Sequence, residues 1–140
     1  MTTHPNFLAT QNSWDALTSG DLMLALDLLA DDLVVDNGPG AGPWRHIEGK
    51  EAFFAMAMQF FPFFQGTWAQ EGRCIYADDQ MSIALVQETG KAPSGDEFDN
   101  VAVYVYRFNE DGKVNRLWTT DLAHEALEEF WTRNPIDGTA

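Results

Sequence analysis

Cysteine is nearly absent from this chain. Cys74 stands alone, so no disulfide can form within it, and a reducing cytoplasm is the expected setting. Positive charge is scarce too. Eight Lys and Arg face 22 Asp and Glu, and the net charge of −14 leaves no basic stripe to grip a nucleic-acid backbone or an anionic bilayer. Neither nucleic acid nor membrane is therefore an expected partner. No apolar run approaches the roughly 18 residues of a membrane-spanning helix, and residues 1–20 lack the basic start and apolar stretch of a secretory leader. His4, His46 and His124 are scattered, without Cys or carboxylate neighbours at ligand spacing, so no metal is expected. The glycine-rich run Gly38-Pro39-Gly40-Ala41-Gly42-Pro43 does not open directly into a helix, as a dinucleotide loop must, and no Gly-x-Ser-x-Gly elbow occurs. No cofactor is expected.

What the chain does have is apolar and aromatic bulk, 45% and 13% of 140 residues, enough for one domain whose core has room for a small ligand. Phe7, Leu8, Trp14 and Leu17 predict a helix over Phe7–Ser19, closed by Ser19-Gly20-Asp21. Leu22, Ala25, Leu26 and Leu29 mark a second, ending near Asp31-Asp32, where Val34-Val35 starts a short strand that runs to Asp36. After a Gly/Pro loop, Phe53, Met56, Ala57, Phe60 and Phe64 predict a third helix over Lys50–Phe64, disturbed at its end by Pro62. Four strands follow, Thr67–Tyr76, Met81–Thr89, Phe98–Phe108 and Val114–Asp121, joined by turn-like segments that imply antiparallel hairpins. A short helix over Glu125–Trp131 and a frayed tail over Arg133–Ala140 complete the reading.

The third of those strands is apolar on both faces: Val101, Val103 and Val105 on one, Ala102, Tyr104, Tyr106 and Phe108 on the other. Each face needs a cover. Helices would supply one and a second copy of the chain the other, so a homodimer through the sheet is expected.

Specific segments carry a family resemblance. The stretch Gly20-Asp21-Leu22 through Leu28-Leu29-Ala30-Asp31-Asp32 to Val34-Val35-Asp36, and Ile47-Glu48-Gly49-Lys50-Glu51-Ala52, resemble ketosteroid isomerases. Tyr106-Arg107-Phe108 with Asp111-Gly112-Lys113-Val114, Leu117-Trp118-Thr119-Thr120-Asp121 and Phe130-Trp131 resembles the closing hairpin of SnoaL-like proteins. Together they span nearly the whole chain and point to the nuclear transport factor 2-like superfamily. The resemblance implies an α+β fold, a curved antiparallel sheet wrapped around helices into a cone with an interior pocket. It implies an isomerase or cyclase that needs no cofactor and acts on a small apolar carbonyl compound, or alternatively a non-catalytic binding or assembly module.

By the same resemblance Asp36 takes the place of a general base, Tyr104 that of a hydrogen-bond donor to an enolate, and Asp121 that of an acid/base aspartate. Ser13 stands where the isomerases' catalytic tyrosine would align. Trp14, Met56, Phe60 and Asn100 would shape and orient the ligand, with Trp44 in the rim loop. Local chemistry offers other roles for the three central residues. Asp36 could bond the amides of the Asn37-Gly38 turn, Tyr104 could be a core tyrosine, and Asp121 could cap a helix starting at Leu122.

Overall fold

The computed structural model of the chain describes residues 3–136. Helix α1, Pro5–Thr18, begins with proline in its first turn, where the missing N–H costs nothing, and the His4 side chain accepts from the Asn6 amide. Asp21 caps the short α2, Leu22–Leu26, through the Leu24 amide. Strand β1, Leu29–Asp36, a 3-10 turn at Pro39–Ala41 and strand β2, His46–Glu48, lead into α3, Lys50–Phe63. Strands β3, Ala69–Ala77, β4, Met81–Lys91, β5, Glu97–Phe108, and β6, Val114–Asp121, run on to α4, His124–Arg133. Residues 137–140 of the expected frayed tail lie outside the described residues.

The six strands form one curved sheet in the order β2-β1-β6-β5-β4-β3. The hairpins β3–β4, β4–β5 and β5–β6 are antiparallel, as the sequence predicts, whereas β1 joins β6 in parallel and makes the sheet mixed. The second helix is shorter than expected, stopping at Leu26. The Val114 amide captures the Leu28 carbonyl and Leu29 pairs with Val114, so the chain enters the sheet early, and a register shift between Leu29 and Val34 absorbs the exposed Asp31 and Asp32. The three-residue β2 was not foreseen, because Ile47 is its only apolar residue.

Alternate residues of the sheet, Ala84, Val86, Ala102 and Leu117 among them, are buried under the helices. Gly72 allows the closest approach between the layers: a Cβ there would collide with the Trp14 indole. At one end Phe60, Phe64, Trp68, Phe98, Phe130 and Trp131 form an aromatic cluster, with Phe64 fully buried at its centre and ring centroids as close as 4.7 Å. Phe64→Ala should lower stability by about 3–5 kcal/mol, read as a fall in the denaturant midpoint; a fall below about 1 kcal/mol would mean that the cluster re-closes around the gap.

Candidate active site

Between helices and sheet lies a cavity of about 130 Å³. Trp14 and Leu17 of α1, Leu22 and Leu26 of α2, and Phe53, Met56, Phe60 and Phe61 of α3 give it an apolar roof. Its floor is polar at one end, where Asn37, Gln70, Glu88, Tyr104, Thr119 and Asp121 meet. Among the described residues no Lys, Arg or His lines it.

The register of the sheet assembles that polar end. Glu88 pairs with Asn100, and Ala102 with Asp121, so three adjacent strands bring Glu88, Asn100 and Asp121 side by side. The Asn100 amide nitrogen donates to both carboxylates, 3.0 Å to Glu88 Oε1 and 2.8 Å to Asp121 Oδ1. Glu88 Oε2 accepts from Gln70 at 2.7 Å and from the Tyr104 hydroxyl at 3.2 Å. Asp121 Oδ2 accepts from the Gly40 backbone amide at 2.9 Å. Tyr104 is held in turn by Trp14, ring edge to face at 5.1 Å.

Glu88 is only 5% exposed, and Asp121 only 8%. Burial pushes the Glu88 carboxyl above its ordinary range, and the nearby charge of Asp121 pushes the same way against the hydrogen bonds from Asn100, Gln70 and Tyr104. The Tyr104 phenol is driven far upward by burial first and by the Glu88 charge next, so it remains a donor. The site therefore pairs a carboxyl that tends to hold its proton with a second carboxyl bridged to it by one amide.

Of the residues expected from sequence, Tyr104, Asp121, Trp14, Met56 and Phe60 line the cavity. Asn100 sits behind its wall as the bridge, and Trp44 packs on Phe60 with ring centroids 6.3 Å apart. Asp121 does not cap α4: the cap position is Ala123, and the Asp121 carboxylate turns to Asn100 and Gly40.

Asp36 is a correction. It is absent from the cavity lining, and β1 alternation explains why: Leu33 and Val35 are fully buried, so Asn37 continues the inward parity and reaches the cavity while Asp36 does not. Its carboxylate is half-exposed, receives His46 Nδ1 at 2.7 Å and pairs with Arg116. The hydrogen bond from His46, joined by the charge of Arg116, holds Asp36 below its ordinary 3.8, the reverse of the upward shift a desolvated base needs. The same bond raises His46 above 6.5.

A raised histidine stabilises fully below its unfolded value and loses that contribution as pH rises through the folded one, while a lowered aspartate stabilises above its unfolded value and loses it on acidification. The pair should therefore contribute between about pH 3.8 and 6.5 and fade on either side. Denaturant midpoints of the wild type and His46→Ala across pH test this; a gap that widens above neutrality would contradict it.

Glu88 is the residue missed from the sequence. The two-residue alternation Ser82, Ala84, Val86, Glu88 puts it on one face of β4, and the pairing of Glu88 with Asn100 shows that this face is the buried one. Among the described residues no group of three or more His, Cys, Asp or Glu is set to hold a metal. No helix among them is long and apolar enough to cross a membrane.

Comparison with known proteins agrees with this architecture. The model of the SnoaL-like domain matches residues 10–117. Bal32a, from a soil-derived mobile gene cassette, is 22% identical with a TM-score of 0.75, covering 90% of this chain and 95% of that one. An NTF2-like protein from Burkholderia pseudomallei is 16% identical with a TM-score of 0.68, over 95% and 99% of the two chains. RV0760c from Mycobacterium tuberculosis, in complex with estradiol-17beta-hemisuccinate, is 20% identical with a TM-score of 0.66, over 87% and 98%. No curated protein matches significantly.

Proposed function

We propose, since this chain belongs to the SnoaL-like domain family and sets two bridged carboxylates on the wall of a largely apolar cavity, that it isomerises or cyclises a small apolar carbonyl compound without a cofactor. The bridged pair carries the proposal. Asn100 holds Glu88 and Asp121 together on the wall of a cavity lined by no cation, an arrangement that separates the affinities of two acids for a proton.

In this reading Asp121 takes the proton from the carbon beside the carbonyl. The C–H electron pair becomes the C=C bond of an enolate and the carbonyl π pair moves to oxygen. Glu88, protonated, and Tyr104 donate hydrogen bonds to that oxygen. Asp121 then returns the proton at another carbon, which isomerises the substrate, or the enolate carbon attacks a second carbonyl within it, whose π pair moves to its oxygen and takes the proton back from Asp121 as the ring closes. Among the described residues each Asp121 oxygen has one donor, which leaves a second lone pair for this work. The ligand held by RV0760c, estradiol-17beta-hemisuccinate, supports a largely apolar guest.

One observation favours a non-catalytic binding role instead: all four oxygens of the two carboxylates already have partners in the chain, so the network is complete without a substrate. Deuterium uptake from D2O into a panel of cyclic enones and 1,3-dicarbonyl compounds, followed by NMR, separates the two. Protein-dependent exchange at the carbon beside the carbonyl supports the enzyme, and saturable binding without exchange supports the binding module.

The outward face of β4 and β5, with Ile83, Leu85, Val101, Val103 and Val105 only half-buried, supports pairing of two copies through the sheet. Sedimentation at increasing concentration reads the mass directly, and a single-chain mass throughout would remove the dimer.

A further inference from the structure

The geometry points to Gly40 and Trp131 as positioning residues that seat the Asp121 carboxylate, an inference that rests on Asp121 being the proton-transfer group proposed above. Asp121 ends β6, and its side chain folds back over the loop that follows β1. There the glycines are required for close approach. A Cβ on Gly40 would stand 2.9 Å from Asp121 Oδ1 and 3.2 Å from its Cγ, and one on Gly38 would meet Oδ2 more closely still. Neither glycine has positive φ, so space and not backbone conformation is what excludes a side chain.

Two peptide planes meet at the Gly40 Cα, and each is held. The N–H on one side donates to Asp121 Oδ2 at 2.9 Å, and the C=O on the other accepts from Trp131 Nε1 at 3.3 Å. The indole that makes this second bond is itself wedged between Phe63, at 5.5 Å, and Phe130, at 4.9 Å between centroids. Helix α4 thus fixes the loop, and the loop fixes the carboxylate against Asn100 on its other oxygen. A carboxylate held from both sides cannot swing to another rotamer when a substrate enters, and misplacement of a reacting group by about 1 Å can cost about a hundredfold in rate.

Trp131→Phe keeps an aromatic ring in the cluster but removes the N–H together with part of the indole's packing surface, so a packing control is paired with it. The Gly40 amide proton is the readout that a purely structural role of Trp131 would not move, and it requires no substrate. In the variant it should shift upfield and lose its protection from solvent exchange, because its carboxylate partner is no longer aligned with it. Phe63→Leu, which disturbs the packing but leaves both hydrogen bonds, should leave that proton in place. On any compound the wild type turns over, Trp131→Phe and Gly40→Ala should each lower kcat by roughly ten- to a hundredfold with KM unchanged. A Gly40 amide that keeps its wild-type shift and protection in Trp131→Phe overturns the inference, as does a change confined to KM in Gly40→Ala. A wild type with no turnover defeats the enzymatic reading, and the inference with it as a statement about catalysis, even where the amide proton responds.

Discussion

Asp121→Asn should lower protein-dependent proton exchange on the substrate by about 10²–10⁴-fold while leaving ligand affinity within a small factor. The amide is nearly the same size and keeps one acceptor oxygen, so it can accept from either Asn100 or Gly40, whose donors lie 2.8 and 2.9 Å away on different oxygens, while its NH2 faces the other. What it loses is the capacity to take a proton. The measurement is kcat against KM for deuterium uptake. A loss confined to KM would make Asp121 a ligand-orienting group, because uniform binding lowers KM without touching the chemical step.

Replacing Glu88 should be nearly as damaging, and the choice of replacement identifies its role. As a protonated donor to the enolate oxygen, Glu88 contributes as an oxyanion-hole group does, so Glu88→Leu should cost about 10²–10³-fold in kcat. Glu88→Gln keeps an N–H where the acid has its O–H and should retain most of the rate, with Gln70 turning its amide to offer oxygen in place of nitrogen. Equal losses in the two variants would instead make Glu88 the base.

Stability supplies an independent reading of the same group. Burial raises the folded-state value of Glu88 above the unfolded value near 4.5, so the native chain is at full advantage below that value and loses stability as pH rises through the folded one. Glutamine has no proton to lose. The denaturant midpoint of Glu88→Gln should therefore gain on the wild type as pH increases, and a gap that stays constant with pH would mean that Glu88 is not destabilised by ionisation.

The strands β3 to β6 and the aromatic α3 were legible in the sequence because alternation, helical spacing and turn residues agree over long stretches. The same alternation placed Asn100 and Tyr104 on one face. It gave no help with Glu88, since Met81, Ile83 and Leu85 are as apolar as Ala84 and Val86, and nothing in β4 alone says which set faces inward. Only the pairing of Glu88 with Asn100 decides it.

Asp36 shows the opposite failure. Asp36 and Asn37 are adjacent polar residues at the end of a strand, and a shift of one residue exchanges the faces. Composition cannot choose between them, whereas the burial of Leu33 and Val35 does. The Gly/Pro loop read as a rim proves to present an amide to Asp121, a function that depends on a contact between residues 81 positions apart.

Site-resolved NMR titration of the side-chain carboxyl carbons, with Glu88 and Asp36 followed in one experiment, tests most directly where the chemistry resides. Glu88 should titrate above the ordinary carboxylate range and Asp36 below it. The reverse order, with Asp36 raised and Glu88 ordinary, would return the base to β1 and remove the bridged carboxylates from the chemistry.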